Sequence, residues 1–114
     1  MGYGSMKPTP QRHSFKTGDG FDLSWLESGS GPTLLMLPGW SQSAAMFREQ
    51  FADLSDRFHC LAPDHRGHGE SERPDHGYRI SRLARDLREF IEHRELDDIT
   101  LLGHSMGASV MWGY

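Results

Sequence analysis

Residues 101–107 read Leu101-Leu102-Gly103-His104-Ser105-Met106-Gly107, and this stretch decides the fold. The apolar run from Ile99 to Leu102 predicts a buried β-strand that breaks at Gly103, and a short helix is predicted just after Ser105. A serine between two glycines, placed between a strand and a helix, is typical of a sharp, strained turn that lifts the serine hydroxyl above the strand end. We therefore interpret Ser105 as a candidate catalytic nucleophile rather than as part of an ordinary turn.

The residues beside Ser105 fit a reaction in which negative charge develops on an oxygen atom. Gly103 and Gly107 flank the serine because a Cβ at either position would collide with the neighbouring strand or helix. The N–H of Met106, at the start of the following helix, is predicted to be one donor to such an oxyanion. His104 is expected to pack beside the turn.

A second motif, Leu37-Pro38-Gly39-Trp40, directly follows the continuous apolar run Thr33–Leu37. Gly39 permits a tight backbone approach, and the N–H of Trp40 is the candidate second oxyanion donor. The alternative is a Pro-Gly turn followed by a tryptophan in the core. Because acyl transfer requires two converging donors, we favour the oxyanion role beside Ser105.

The third motif is the polar, glycine-rich segment 64–71, for which we predict a structural role. Asp64 and Arg66 are expected to hydrogen-bond the surrounding backbone and each other. Gly67 and Gly69 are expected to take loop conformations that are closed to other residues. The two histidines of the segment lie three residues apart, with no pair of cysteines and no His-Glu-x-x-His helix, so we do not predict a metal site.

Strands and helices alternate along the chain, which predicts a parallel α/β sheet. The turn Gly18-Asp19-Gly20 predicts a hairpin between the first two strands. Residues 1–12 are expected to form a flexible leader, and residues 13–114 to belong to one domain. The predicted strands are 13–17, 21–26, 33–37, 58–62 and 99–102, and the predicted helices cover 44–54, 80–94 and the residues after Ser105.

Composition limits the partners of this 114-residue chain. The formal net charge is −4 and the basic residues form no stripe, which argues against nucleic acid or an anionic membrane as a partner. No apolar run is long enough to span a bilayer, so a cytoplasmic location is the default expectation. The one cysteine, Cys60, is expected to be a packed thiol in an apolar strand.

The order of these three motifs resembles the α/β-hydrolase superfamily. The match is closest to the branch that contains esterases, lactonases, C–C bond hydrolases and cofactor-free haloperoxidases or perhydrolases. The resemblance implies a mostly parallel sheet with an N-terminal hairpin and strand order 1-2-4-3-5. It also implies that the amides of Trp40 and Met106 converge above one carbonyl. No metal and no organic cofactor is implied.

The sequence departs from the family pattern in two respects. Members of the family usually have His-Gly after the third strand, whereas Pro38 stands here at the histidine position. Pro-Gly-Trp also occurs in the cofactor-independent dioxygenases of this fold, which carry a histidine shortly after the tryptophan; Ser41, Gln42 and Ser43 follow here.

The second departure is length: family members are more than twice as long, and their base and acid lie on later strands. We therefore expect a partner that carries the base and the acid, either the missing C-terminal half or another subunit. We also expect the strand ending at Leu102 to form an exposed edge of the sheet.

Three functions are compatible with these residues. The leading hypothesis is a serine hydrolase that acts on an ester, lactone or related acyl bond of a small-molecule substrate. Its mechanism would be Ser-His-acid, with Ser105 as nucleophile and the other two groups outside this segment. The second hypothesis is a cofactor-independent oxygenase or perhydrolase on the same fold. The third is an inactive truncation or a non-catalytic binding module, because without a base Ser105 keeps its proton.

Overall fold

The computed structural model describes residues 9–76 and 78–113, so the first eight residues of the predicted leader lie outside the described part of the chain. The first strand begins at Gln11, within the segment that was expected to be a leader. Five strands and three α-helices follow the predicted order. They are β1 (Gln11–Lys16), β2 (Asp22–Ser28), β3 (Thr33–Leu37), α1 (Arg48–Leu54), β4 (His59–Pro63), α2 (Ile80–His93), β5 (Thr100–Gly103) and α3 (Met106–Gly113).

The strand order β1-β2-β4-β3-β5 confirms the order implied by the family resemblance. β1 and β2 form the predicted antiparallel hairpin, and β2 also pairs antiparallel with β4. β3 lies between β4 and β5 and is parallel to both. In the register of the last pair, Leu37 lies opposite Gly103, so the chain leaves β3 and β5 at neighbouring points on the same edge of the sheet.

β3 is the centre of the core, and its side chains alternate between the two faces of the sheet. Leu35 and Leu37 pack in the cluster that includes α2, whereas Met36 packs in the cluster that includes α1. All three side chains are fully buried, which explains why the strand reads as a continuous apolar run. Cys60 is buried in the same cluster as Met36, as predicted.

Two predictions about individual elements are wrong in detail. β5 is the last strand of the described sheet, which confirms the exposed edge expected there, but Leu102 is 42% exposed, so the prediction that this strand is fully buried is wrong. The helix predicted over 44–54 is divided into a 3-10 turn, Ala44–Phe47, and α1. The hydroxyl of Ser43 accepts a hydrogen bond from the Ala45 amide, so the chain enters this segment through a capped tight turn.

Within the described residues, no helix combines the length and apolarity needed to cross a membrane.

Glu27 of β2 links three segments of the chain through its carboxylate. Its carboxylate accepts hydrogen bonds from the Arg94 guanidinium and from Trp25 Nε1, and it lies 2.6 Å from His59 Nε2. Burial disfavours the charged form of Glu27, but these hydrogen bonds outweigh it and lower the pKa to about 2. The network joins β2, β4 and the end of α2.

We predict that Glu27→Gln lowers the free energy of unfolding by about 2 kcal/mol at pH 7, because it replaces a carboxylate bonded to charged donors. The folded pKa of about 2 lies below the ordinary value of 4.5, so the carboxylate stabilises the fold above pH 4.5 and loses this effect as the pH falls toward 2. Denaturant unfolding of both proteins from pH 7 to pH 3 should show the difference shrinking. Glu49→Gln, at an exposed site on α1, is the control, and an equal difference at every pH would contradict the prediction.

Candidate functional site

Ser105 lies in the turn between β5 and α3, as the G-x-S-x-G pattern predicts. Its backbone φ is +56°, a left-handed conformation that is uncommon for a residue with a side chain. The residue is exposed, so the turn lies at the surface of the described part of the chain. A strained, exposed serine directly after a parallel strand is the arrangement expected of a nucleophile.

The glycines on either side of Ser105 are required by close backbone contacts. A Cβ on Gly107 would overlap the carbonyl oxygen of Leu37, at the end of β3. A Cβ on Gly103 would lie 2.7 Å from the amide nitrogen of Ala108, in α3. The His104 amide donates a 3.0 Å hydrogen bond to the same Leu37 carbonyl. The turn is therefore held directly against the exit of β3.

The loop 38–42, which leaves β3, contacts this turn through side chains. Gln42 Oε1 lies 3.1 Å from His104 Nδ1 and accepts a 3.2 Å hydrogen bond from the Gly39 amide. The Gln42 amide in turn donates a 3.2 Å hydrogen bond to the Gly39 carbonyl. On the other side of the loop, His65 Nε2 lies 2.9 Å from the carbonyl oxygen of Pro38.

The candidate oxyanion donors lie in these two segments. Within residues 9–76 and 78–113, neither the Trp40 amide nor the Met106 amide donates a hydrogen bond to another protein group. Trp40 is 57% exposed, so the alternative of a tryptophan in the core is wrong. Its indole ring instead meets His68 edge-on, with ring centroids 4.8 Å apart. Among the described residues, both amides therefore lack a protein acceptor.

Asp64 is fully buried and hydrogen-bonds the surrounding backbone, as predicted, both in its own loop and in the 3-10 turn after β3. Its carboxylate accepts hydrogen bonds from the amides of Ala44, at 2.6 Å, and Glu70, at 3.0 Å. The guanidinium of Arg12 lies 2.9 Å from the same carboxylate. A Cβ on Gly69 would overlap the Asp64 carboxylate, which explains this glycine, whose φ is +52°.

Arg66 does not bond Asp64, so that part of the prediction is wrong. Its fully buried guanidinium contacts two other carboxylates, those of Asp86 at 2.7 Å and Asp19 at 3.0 Å. Burial disfavours the charge on Arg66, but both carboxylates outweigh it and raise the pKa. The hydrogen bond from Arg66 is the main cause that lowers the pKa of Asp19. Arg82 also bonds both carboxylates, so the pairs form one network.

The histidines of the third motif are buried and structural. His65 is held against Pro38, and burial lowers its pKa below the ordinary value for histidine. His68 Nδ1 lies 3.0 Å from the carbonyl oxygen of Arg66. Within the described part of the chain, no three His, Cys, Asp or Glu side chains are grouped as metal ligands.

Sequence reasoning missed three residues that shape the site. Asp86 carried a usable signal, because it lies on α2 between Leu83 and Leu87 and an acid beside a buried stripe needs a cationic partner. Asp19 was interpreted only as a turn residue. Gln42 carried no signal, since a glutamine three residues after a glycine is common in loops.

Comparison with known proteins agrees with this architecture. A family model described as the alpha/beta hydrolase fold matches residues 32–114. The chain therefore belongs to the alpha/beta hydrolase fold family.

Among its relatives, the soluble epoxide hydrolase of Corynebacterium sp. (strain C12) is 37% identical over 92 residues, which cover 81% of this chain and 32% of that protein. The 2-(acetamidomethylene)succinate hydrolase of Mesorhizobium japonicum is 40% identical over 86 residues, which cover 75% of this chain and 31% of that protein. The solved structure of an esterase from Exiguobacterium antarcticum superposes with a TM-score of 0.86 at 33% identity, covering 89% of this chain and 38% of that one. The chain thus spans about a third of the length of these relatives.

We predict that Arg66→Met lowers the free energy of unfolding by about 3 kcal/mol, because it leaves the buried Asp86 with fewer cationic partners. Arg85→Met is the matched control on α2, since Arg85 is solvent-exposed in its pair with Glu89 and should contribute less than about 1 kcal/mol. Denaturant unfolding of both variants measures the difference. Equal losses would show that the buried network does not stabilise the loop.

We predict that Ser105→Gly is more stable than Ser105→Ala by about 1 kcal/mol, because glycine adopts a positive φ without steric cost. Ser109, exposed within α3, provides the control, where the order should reverse because alanine favours a helix over glycine by about 1 kcal/mol. Thermal unfolding of the four variants gives both comparisons. The same order at both positions would show that Ser105 is not strained.

Proposed function

We propose that the protein is a serine hydrolase that cleaves an ester, lactone or related acyl bond, with Ser105 as nucleophile. The observation that carries this proposal is the exposed Ser105 at φ +56°, beside the exit of β3 and its unused Trp40 amide. The histidine base and the acid of the mechanism lie outside these 114 residues, in a further part of the protein or in another subunit. This chain contributes the nucleophile and the oxyanion donors.

The proposed reaction has two steps. Ser105 Oγ attacks the carbonyl carbon while the base takes its proton, and the resulting oxyanion accepts hydrogen bonds from the amides of Trp40 and Met106. When the tetrahedral intermediate collapses, the bond to the leaving oxygen breaks, and that oxygen takes the proton from the base. Water then attacks the acyl-serine ester by the same route, which releases the acid and restores Ser105.

The identity of the nucleophile separates acyl substrates from the other chemistry named among the relatives. A serine that attacked the carbon of an epoxide would form an ether, and an ether has no carbonyl that water could attack to regenerate the enzyme. A serine that attacks a carbonyl forms an ester, which the same oxyanion donors help to hydrolyse. Ser105 therefore favours the chemistry named for the esterase over that named for the epoxide hydrolase.

We predict that a fluorophosphonate probe labels Ser105 in the full-length protein, because phosphonylation needs an activated serine. Ser105→Ala should abolish both labelling and the hydrolysis of p-nitrophenyl acetate, whereas Ser109→Ala should retain both. Mass spectrometry of the labelled peptide locates the adduct. Labelling that persists in Ser105→Ala, or a wild-type protein that reacts with neither compound, would refute the proposed function.

A further inference from the structure

The peptide unit between Pro38 and Gly39 is held at both ends. Its carbonyl oxygen lies 2.9 Å from His65 Nε2, and its amide donates a 3.2 Å hydrogen bond to Gln42 Oε1. A carbonyl only accepts, so His65 must carry its proton on Nε2. Because a peptide unit is planar, two bonds on opposite edges fix its orientation about the chain axis.

The next peptide unit carries the Trp40 amide, and it is fixed as well. Its carbonyl, that of Gly39, accepts a 3.2 Å hydrogen bond from the Gln42 amide. In a trans peptide the N–H points opposite to the C=O, so the Trp40 amide is turned away from the interior of this small turn. A flip of this unit would break the bond to Gln42 and would also withdraw the amide from the site.

Gln42 also links this loop to the turn that carries Ser105. Its Oε1 lies 3.1 Å from His104 Nδ1, which makes the ring the donor because the amide oxygen only accepts. One side-chain oxygen thus joins the exits of β3 and β5. The contact is tight, since a Cβ on Gly39 would lie only 2.7 Å from Gln42 Oε1.

We propose that His65 and Gln42 are positioning residues that aim the Trp40 amide at the substrate oxygen, an inference that rests on the proposed function of Ser105. His65 holds the outer end of the loop from the buried third motif, and Gln42 sets the distance between the loop and the turn. Neither side chain reaches the reacting atoms in this role. Both act through the orientation of two consecutive peptide units, which lets the donor be aligned before substrate binds.

Kinetic constants and inhibitor affinity distinguish a positioning role from simple structural support. An oxyanion donor acts when charge develops, so its misalignment should lower kcat and leave KM nearly unchanged. It should also weaken binding of a phenylboronic acid, which forms a tetrahedral anion on the serine. A residue that only stabilised the fold would change thermal stability without this pattern.

The experiment uses the full-length protein with p-nitrophenyl acetate. Gln42→Met and His65→Met each remove a fixing hydrogen bond at similar side-chain length, and we expect kcat to fall at least about tenfold, with a similar loss in affinity for the boronic acid. His65→Gln places an amide N–H near the former Nε2 and should restore most of kcat. Gln50→Met, at an exposed position on α1, is the matched control and should behave as wild type.

Wild-type kcat in Gln42→Met and in the folded His65 variants would overturn the positioning role. So would a His65→Gln protein that is folded and as impaired as His65→Met, or losses that fall on KM alone. If His65→Met does not fold, His65→Gln and Gln42→Met decide the question. Ser105→Ala separates the two proposals: if it retains activity, the proposed function itself fails, whereas if it is inactive and the loop variants are normal, only the positioning role fails.

Discussion

The parallel pairing of β3 with β5 is the constraint on which the rest of the site depends. It sets Leu37 opposite Gly103, and the missing side chain of Gly107 lets the following helix approach the Leu37 carbonyl. Two chain segments whose paired residues are 66 positions apart in sequence therefore leave the sheet side by side. This register places the turn with the left-handed Ser105 directly against the exit of β3.

Buried charge fixes the third loop around this site. Arg66 and Asp64 are fully buried, and each is matched by partners from distant parts of the chain. A buried ion pair contributes little net stability over an apolar pair, but it penalises every arrangement that separates its charges. We interpret these networks as devices that hold one loop conformation. That conformation supports His65, which in turn contacts the loop beside the serine.

Membership of the family constrains the scaffold more strongly than the reaction. The relatives of similar fold include proteins named as an epoxide hydrolase and as an esterase, and these names describe different bonds. A shared fold can therefore carry different reactions. In this chain the residue at the turn is Ser105. A serine forms an ester intermediate with an acyl substrate but an ether with an epoxide, and only the ester can be hydrolysed by the same route. In the function that we propose, the Trp40 amide of the loop 38–42 is the donor that stabilises an acyl intermediate.

Hydrophobic runs and glycine spacing in the sequence alone determined the strands, their order through the family resemblance, and the turn at Ser105. The apolar runs and the turn are local features that a few consecutive residues set, whereas the strand order followed only from the family resemblance. Only the tertiary structure decided that Arg66 bonds Asp86 rather than Asp64, that Trp40 is exposed, and that Gln42 bridges two strand exits. Those contacts depend on which distant segments meet, because a polar side chain can hydrogen-bond any suitable donor or acceptor and its identity does not specify which one.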